Sequence, residues 1–182
     1  MSNIHCMIDL ETMGLGTKPA IVSIGAVMVN IKTGEFVDQF YLDGLLESSV
    51  NDLGLEMWPS TVVWWSQQTE AARKALQPSD TTINSALGQL RIWFLHWSSV
   101  CDFSLPIWSN GATADIVWLN SAYKAAKIAL PWSYRDERCY RTLKNLYPEI
   151  AGDDQLVAHN ALEDAKWQGK HLIKLLEKVN AQ

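Results

Sequence analysis

The ten residues 20–29, AIVSIGAVMV, form a long β-rich stretch, and shorter stretches of similar character stand on either side of it. Residues 4–10 before it are mostly apolar, and residues 35–42 after it return to a strand pattern. Turn sequences separate the three runs, TMGLG at residues 12–16 and NIKTG at residues 30–34. The pattern predicts a hairpin, or a three-stranded antiparallel meander that includes the first run.

Beyond residue 42 the spacing of apolar residues changes to the period of a helix. Ser60 is a candidate cap for the first of these helices, which Pro78 would stop. Predicted helices cover residues 61–76, 82–97, 115–129, 140–147 and 161–179, and predicted short strands cover residues 106–109 and 131–134. Because strands come first and helices then alternate with short strands, we expect an α/β fold, a mixed sheet with helices on both faces.

The composition is that of one globular domain over residues 1–182. Hydrophobic residues make up 48% of the chain and charged residues 19%, without an internal repeat or a linker. The three cysteines lie far apart and form no CxxC pair, which favours a reduced, intracellular chain over a disulfide framework or a structural zinc site. The first residues lack the pattern of a signal peptide, and no apolar run approaches the ~20 residues of a membrane helix. These features predict a cytoplasmic protein that does not enter a membrane.

The formal net charge of −5 argues against a protein that coats nucleic acid, since such proteins are normally basic. It does not exclude an enzyme that holds phosphate through metal ions. Such an enzyme needs local carboxylates as ligands, and the bound ions then reverse the local charge.

Two carboxylates, Asp9 and Glu11, stand at the end of the first predicted strand. Residues i and i+2 of a strand point to the same face, so the two side chains lie side by side. At an effective dielectric constant near 20 their repulsion is about 2–3 kcal/mol, which a divalent cation between them would offset. The other interpretation is an ordinary solvated strand end.

Further polar groups follow at a helix start and at a loop. Asp115 comes after a buried strand and a turn, so it either belongs to a site or stabilises a helix N-terminus. Asn160 is a good helix cap, which would leave His159 on the preceding loop and place Asp164 in the first turns of the helix. One short segment can then provide both a metal ligand and a mobile base, whereas His159 taken alone could equally be a solvated loop residue.

Three motifs together resemble the DEDDh exonucleases, a family that includes ribonuclease T, oligoribonuclease and the proofreading subunits of replicative polymerases. The motifs are IDLET at residues 8–12, SNGATAD at residues 109–115 and HNALEDA at residues 159–165. The small phage exonuclease A type and its bacterial relatives also carry an NGAT-like second motif and a tryptophan-rich segment similar to VVWWSQQ at residues 62–68. Many relatives have Phe before the aspartate of the second motif, where this chain has Ala114.

The resemblance implies a ribonuclease H-like fold, with a five-stranded mixed sheet flanked by helices, and two Mg²⁺ or Mn²⁺ ions in the acidic cluster. Asp9 would bridge both ions. Glu11 and Asp164 would hold the ion that activates water, and Asp115 would serve the other ion. His159 would accept the proton of the attacking water, because imidazoles titrate near neutral pH. The implied reaction releases nucleoside monophosphates from the 3′ end of single-stranded nucleic acid.

The substrate-binding residues predicted by the same resemblance follow the first acidic motif. Thr12, Met13 and Gly14 would hold the terminal nucleotide, with Met13 wedged against a base unless it is a core residue. Asn110 and Trp65 complete the predicted set. Because Trp64 and Trp65 are adjacent, we expect one of them in the core and the other along the nucleotide cleft.

Several alternatives stay open at this point. The chain is either a catalytic exonuclease, a nucleic-acid-binding module that kept the fold without turnover, or a metal-dependent hydrolase of small nucleotides. The phage-type likeness favours DNA slightly over RNA, and a homodimer is a further expectation from the family. A basic stretch, consisting of Arg135, Arg138, Arg141 and Lys144, either contacts phosphate or forms a solvated surface.

Overall fold

A five-stranded mixed sheet runs through the centre of the computed structural model, which describes residues 3–153 and 159–180. Its strands are β1 Ile4–Thr12, β2 Ile21–Asn30, β3 Phe36–Leu42, β4 Ile107–Ser109 and β5 Glu137–Cys139. Their order across the sheet is β3-β2-β1-β4-β5. The sheet confirms the predicted fold class.

The first three strands form the predicted antiparallel meander, β1 against β2 and β2 against β3. The second turn follows from local chemistry, because the Asn30 side chain accepts the main-chain N–H groups of Lys32 and Thr33 and Gly34 takes a positive φ of 78°. By contrast β4 is parallel to β1, and β5 is parallel to β4. The carboxyl ends of β1, β4 and β5 therefore meet at one edge, where ligand sites of open α/β sheets form.

Seven α-helices cover the two faces of the sheet in the described part of the chain. They are α1 Leu46–Asn51, α2 Pro59–Ser66, α3 Glu70–Arg73, α4 Ile83–Val100, α5 Val117–Ala126, α6 Tyr140–Leu146 and α7 Ala161–Asn180. A 3₁₀ turn spans Lys74–Leu76 and a π-helical turn spans Ala112–Ile116. In the ranges that the structure describes, none of these helices has the length and apolar character needed to cross a bilayer.

Two hydrophobic clusters sandwich the sheet, because alternate residues of a strand point to opposite faces. Ile8 and Leu10 of β1 join the larger cluster, which packs against α4 and α5, whereas Met7 joins the smaller cluster beneath α6 and α7. Asp9 and Glu11 continue the series that Met7 begins. They therefore lie on the α7 side of the sheet, at the end of β1.

The predicted helix over residues 61–76 is wrong as a single element. It is divided into α2, α3 and the 3₁₀ turn, because the Thr69 side chain accepts the Ala72 main-chain N–H and begins a new helix. Helix α2 also begins before Ser60, with Pro59 in its first turn, where the lack of an N–H costs nothing. Helix α1 was not predicted.

The predicted strand over residues 131–134 is also wrong, and the fifth strand lies a few residues later at Glu137–Cys139. Trp132 in the predicted segment is buried and packs its ring against Phe94 and Tyr123, at centroid distances of 5.4 and 5.7 Å. Its apolar character therefore serves the larger core, while pairing with β4 makes a strand of a polar tripeptide.

Candidate active site

Three carboxylates converge beside the end of β1. One oxygen from each of Asp9, Glu11 and Asp164 lies within 4.8 Å of the other two. Asp9 and Glu11 come from β1, and Asp164 comes from the first turn of α7. Residues 155 positions apart in the chain are brought together because α7 lies across this face of the sheet.

A glycine in β2 permits that close approach. Gly25 is paired with Asp9 in the sheet register, and a Cβ atom on Gly25 would lie 2.2 Å from the main chain of Ala161 and Leu162. Any larger residue would push away the first turn of α7. The position of Asp164 relative to Asp9 therefore depends on the missing side chain at Gly25.

Asp115 lies at the end of the neighbouring strand, in the π-helical turn that follows β4, and is only 5% exposed. Its charge contributes to raising the pKa of Asp9. The fourth predicted carboxylate thus belongs to the same electrostatic cluster, although it is outside the tight group of three.

The carboxylates of this cluster are strongly disposed to hold protons. Burial, with repulsion from Asp164 and Asp115, raises the pKa of Glu11 to about 8. Burial also raises the pKa of Asp115 to about 7, against main-chain hydrogen bonding and the field of Arg141. The pKa of Asp9 is raised well above its ordinary value by burial and by repulsion from Asp115 and Glu11, and burial raises the pKa of Asp164.

The donor set fits divalent cations that prefer oxygen. Asp9, Glu11 and Asp115 take part in none of the ion pairs between described residues, and the charge of Arg141 offsets the raised pKa of Asp115 only in part. Gln168 of α7 donates its Nε2–H to Asp9 Oδ1 at 2.7 Å and thereby orients that carboxylate. Hard cations such as Mg²⁺ and Mn²⁺ bind groups of this kind.

His159 lies in the loop before α7, at the rim of the acidic group, and its backbone is strained. Its φ is 64°, and its main-chain N–H donates to Asp164 Oδ2 at 3.1 Å. The ring meets the ring of Trp64 edge-on, with 4.8 Å between centroids. Asn160 caps α7 by accepting the N–H groups of Leu162 and Glu163, which leaves His159 outside the helix as predicted.

Two adjoining cavities share Glu11 and Leu10. The acidic cavity, of about 300 Å³, is lined by Asp9, Leu10, Glu11, Asn110, His159, Asp164, Trp167 and Gln168. The aromatic cavity, of about 420 Å³, is lined by Leu10, Glu11, Thr12, Leu15, Ser60, Thr61, Trp64 and Trp118. A ligand with one anionic part and one flat, apolar part could therefore occupy both, with Glu11 between them.

Two predicted substrate contacts are corrected by burial. Met13 is 3% exposed and Trp65 only 1%, so neither ring nor thioether is open to a nucleotide. Trp65 instead donates its Nε1–H to the Thr12 carbonyl at 3.0 Å and supports the turn from inside. Leu15 and Trp64, 68% and 38% exposed, occupy the accessible positions. One tryptophan of the pair is thus in the core and the other in the cleft, as expected. The core residue is Trp65, however, and the residue at the cleft is Trp64.

The other predicted contacts lie at the cavities. Thr12 lines the aromatic cavity and donates its hydroxyl to the Gly14 carbonyl at 2.8 Å, and Gly14 itself is buried against Trp58. Asn110 lines the acidic cavity, with an Oδ1 that is buried without a partner among the described residues. Gly14 therefore shapes the turn, while Thr12 and Asn110 can face a ligand.

Leu15 and Trp118 line the aromatic cavity but were not predicted as site residues. Trp118 donates its Nε1–H to the Gly16 carbonyl at 2.7 Å, and Ser121 of the same helix donates to the Thr17 carbonyl. Helix α5 thus holds the turn that carries Leu15. An exposed leucine within a glycine-bearing turn is a weak signal that could have indicated it.

Comparison with known proteins relates this arrangement to nucleases. A family model described as the 3′-5′ exoribonuclease Rv2179c-like domain matches residues 4–176. An exodeoxyribonuclease of Enterobacteria phage T4 is 33% identical over 90 residues, which are 45% of this chain and 38% of the phage protein. The match thus spans well under half of that relative.

Solved structures of nucleases share the fold. The nuclease domain of 3′hExo, a DEDDh family member bound to rAMP, superposes with a TM-score of 0.64 at 13% identity, covering 97% of this chain and 93% of that one. The zinc-bound complex of E. coli ExoI with single-stranded DNA superposes with a TM-score of 0.68 at 12% identity, covering 100% of this chain and 42% of that one.

Proposed function

The chain belongs to the Rv2179c-like family of 3′-5′ exoribonuclease domains, and from that membership we propose that it is a metal-dependent enzyme that removes nucleotides one at a time from the 3′ end of single-stranded nucleic acid. The observation that carries the proposal is the pair of cavities that meet at Glu11. The aromatic cavity suits a terminal nucleoside, and the acidic cavity suits the phosphodiester that joins it to the rest of the strand.

Asp9, Glu11 and Asp164, with Asp115 beside them, would hold two divalent cations, Mg²⁺ or Mn²⁺. The raised pKa values of Glu11 and Asp115 support this, because a bound cation would stabilise the charged carboxylates. When bound, two such ions would lower the pKa of the attacking water and would neutralise the charge that develops on the phosphate.

His159 is proposed as the general base that accepts the proton of the attacking water. Its place at the rim of the acidic cavity, within one residue of the α7 cap, supports this role. The edge-on contact with Trp64 holds the imidazole beside the wall shared by the two cavities. Glu11 is the catalytic carboxylate that reaches both cavities.

The terminal nucleoside is proposed to lie between Leu15 and the rings of Trp64 and Trp118, with the Thr12 turn at its sugar. Aromatic faces accept every base, which suits an enzyme without sequence preference. The family is described by activity on RNA and the phage relative by activity on DNA. We propose activity on both, with a small preference for DNA.

The test is a time course on 5′-labelled single-stranded DNA and RNA of one sequence, with Mg²⁺, Mn²⁺ or EDTA. The expected result is a ladder that shortens from the 3′ end with either metal and is absent in EDTA. Asp9→Ala should abolish the ladder, whereas Asp52→Ala, which removes an exposed carboxylate outside the acidic and aromatic cavities, should not.

Folded protein that degrades neither strand with either metal would reject the proposal in favour of a binding module. Hydrolysis confined to mononucleotide substrates would favour the hydrolase of small nucleotides. Equal activity of Asp9→Ala and the native chain would show that the acidic cavity is not the site.

A further inference from the structure

Strand β5, the third parallel strand, leads to a cationic side chain at the sheet edge where the carboxylates lie. Strand β1 ends in Asp9 and Glu11, and β4 leads to Asn110 and Asp115. Strand β5 runs parallel beside β4, with Cys139 paired to Ser109, and passes directly into α6. Arg141 is therefore brought to this edge by the topology of the sheet.

Arg141 is fixed against the rim of the acidic cavity. Its Nη2–H donates to the Asn110 carbonyl at 2.7 Å, and Asn110 lines that cavity. Gly111 beside it has a φ of 127°, a backbone conformation that favours glycine. The Asn110 carbonyl is the acceptor that Arg141 contacts within the described ranges, and a guanidinium has five N–H donors. An exposed guanidinium that is oriented in this way suits a phosphate.

The neighbouring cations of the basic stretch divide into two kinds. Arg138 donates to the carbonyls of Arg135 and Glu137, and Arg135 lies over the Tyr134 ring, so both are turned toward their own segment. Lys144 lies one helical turn after Arg141, over the ring of Tyr140. Of these four cations, Arg141 is the one that contacts a residue of the acidic cavity within the described ranges, and Lys144 stands next to it on α6.

We propose that Arg141, followed by Lys144, binds the phosphate immediately 5′ of the scissile linkage and so sets the register of longer substrates. The inference rests on the proposed function, in which the terminal nucleoside fills the aromatic cavity and the scissile phosphate lies at the acidic one. Asn110 lines the acidic cavity but not the aromatic one, so a strand that leaves the acidic cavity past Asn110 meets Arg141. In a protein of formal charge −5, a cation at this point offsets the repulsion that the carboxylates exert on a polyanion.

The test compares a dinucleotide, which contains only the scissile phosphodiester, with a trinucleotide that adds one linkage on its 5′ side. Arg141→Ala should raise KM for the trinucleotide about tenfold more than KM for the dinucleotide, the loss expected for a hydrogen-bonded charge. Any effect of the variant on Asp115 or Asn110 falls equally on both substrates. Arg141→Lys should recover part of the loss. Arg135→Ala, a matched control from the same stretch, should act like the native enzyme on both.

A neutral methylphosphonate at the added linkage separates a phosphate contact from a structural role. The native enzyme should lose about tenfold in kcat/KM on this trinucleotide, while Arg141→Ala should lose nothing further. The slope of log kcat/KM against log salt should also become shallower by about 0.7 in Arg141→Ala.

Equal losses of Arg141→Ala on the dinucleotide and the trinucleotide would overturn the proposal by showing a structural role. So would an unchanged KM for the trinucleotide. If the native enzyme hydrolyses neither substrate with metal present, that result contradicts the proposed function itself, and the proposed phosphate site at Arg141 is rejected together with it.

Discussion

At the residue scale, His159 combines a strained backbone with two contacts that fix its position. Its positive φ and its main-chain hydrogen bond to Asp164 hold the loop beside the carboxylates. The ring of Trp64 contacts the imidazole edge-on and restricts its position. Strain of this kind persists only where surrounding structure enforces it. The arrangement supports the proposed role of His159 as a base that stands beside the proposed metal site without being one of its ligands.

His159→Ala should lower kcat by about 10²–10⁴-fold, the usual contribution of a general base, with little change in Mn²⁺ affinity. Steady-state kinetics and titration calorimetry with Mn²⁺ measure the two effects separately. His96→Ala removes an exposed histidine of α4 and serves as the control. Turnover similar to the native enzyme in His159→Ala would exclude it as the base.

The adjacent tryptophans should respond in opposite ways. Trp64→Ala should raise KM about tenfold, since stacking on a base contributes roughly 1–3 kcal/mol, and change stability little. Trp65→Ala should cost about 3–5 kcal/mol of unfolding free energy, because it empties a fully buried site and orphans the Thr12 carbonyl. Urea denaturation and KM are measured on both variants. A loss of stability in Trp64→Ala together with a raised KM in Trp65→Ala would contradict the assignment.

At the scale of elements, the site depends on how closely α7 approaches the sheet. The helix begins at its Asn160 cap directly over Gly25, and the same helix carries Asp164 and Gln168. A shift of its first turn would move Asp164 and the loop that carries His159 together. The fold therefore couples packing at β2 to chemistry at β1.

Gly25→Ala should destabilise the protein by about 1–3 kcal/mol and lower activity strongly, because main-chain atoms 2.2 Å from the new Cβ must move. Gly88→Ala is the matched control, since a Cβ at this position in α4 meets nothing within 4 Å. It should be neutral or stabilising by about 0.5–1 kcal/mol, from helix propensity. Native activity and stability in Gly25→Ala would refute the coupling. Urea unfolding and initial rates are the measurements.

At the scale of the whole molecule, the acidic cluster makes stability depend on pH and on metal. Free carboxyl groups titrate near pH 4 in the unfolded chain, whereas Glu11 and Asp115 titrate at pKa values of about 8 and about 7 in the folded protein. Between these limits the folded state binds more protons than the unfolded state. Metal-free stability should therefore fall as pH rises from about 4 to about 8.

Thermal unfolding in EDTA should show this loss as a falling Tm between pH 5 and pH 8.5, and Mg²⁺ or Mn²⁺ should oppose it by binding only the folded state. Glu11→Gln should be the more stable chain in EDTA at pH 8, by at least about 1 kcal/mol, and should gain less from metal. A native Tm that rises over this range in EDTA, together with no difference in Glu11→Gln, would contradict the prediction.

The sequence by itself determined those features of the protein that are encoded locally. Apolar, β-rich runs and an asparagine turn specify the meander, and Asn160 specifies where α7 begins. The positions of Asp9, Glu11 and His159 relative to these elements follow directly, since each lies within a few residues of a strand end or a helix cap. Such signals are read from neighbours in the chain, so they survive without knowledge of the fold.

Only the tertiary structure decided which of two similar neighbours faces the cleft and which distant residues meet. Trp64 and Trp65 have the same chemistry, but Trp65 is the one that joins the larger hydrophobic cluster and donates to the Thr12 carbonyl. The fifth strand forms from a polar tripeptide because β4 offers it an edge. Arg141 reaches Asn110, 31 residues earlier, only through that parallel pairing. The physical reason is that burial and strand pairing depend on surfaces from elsewhere in the chain, which local periodicity does not record.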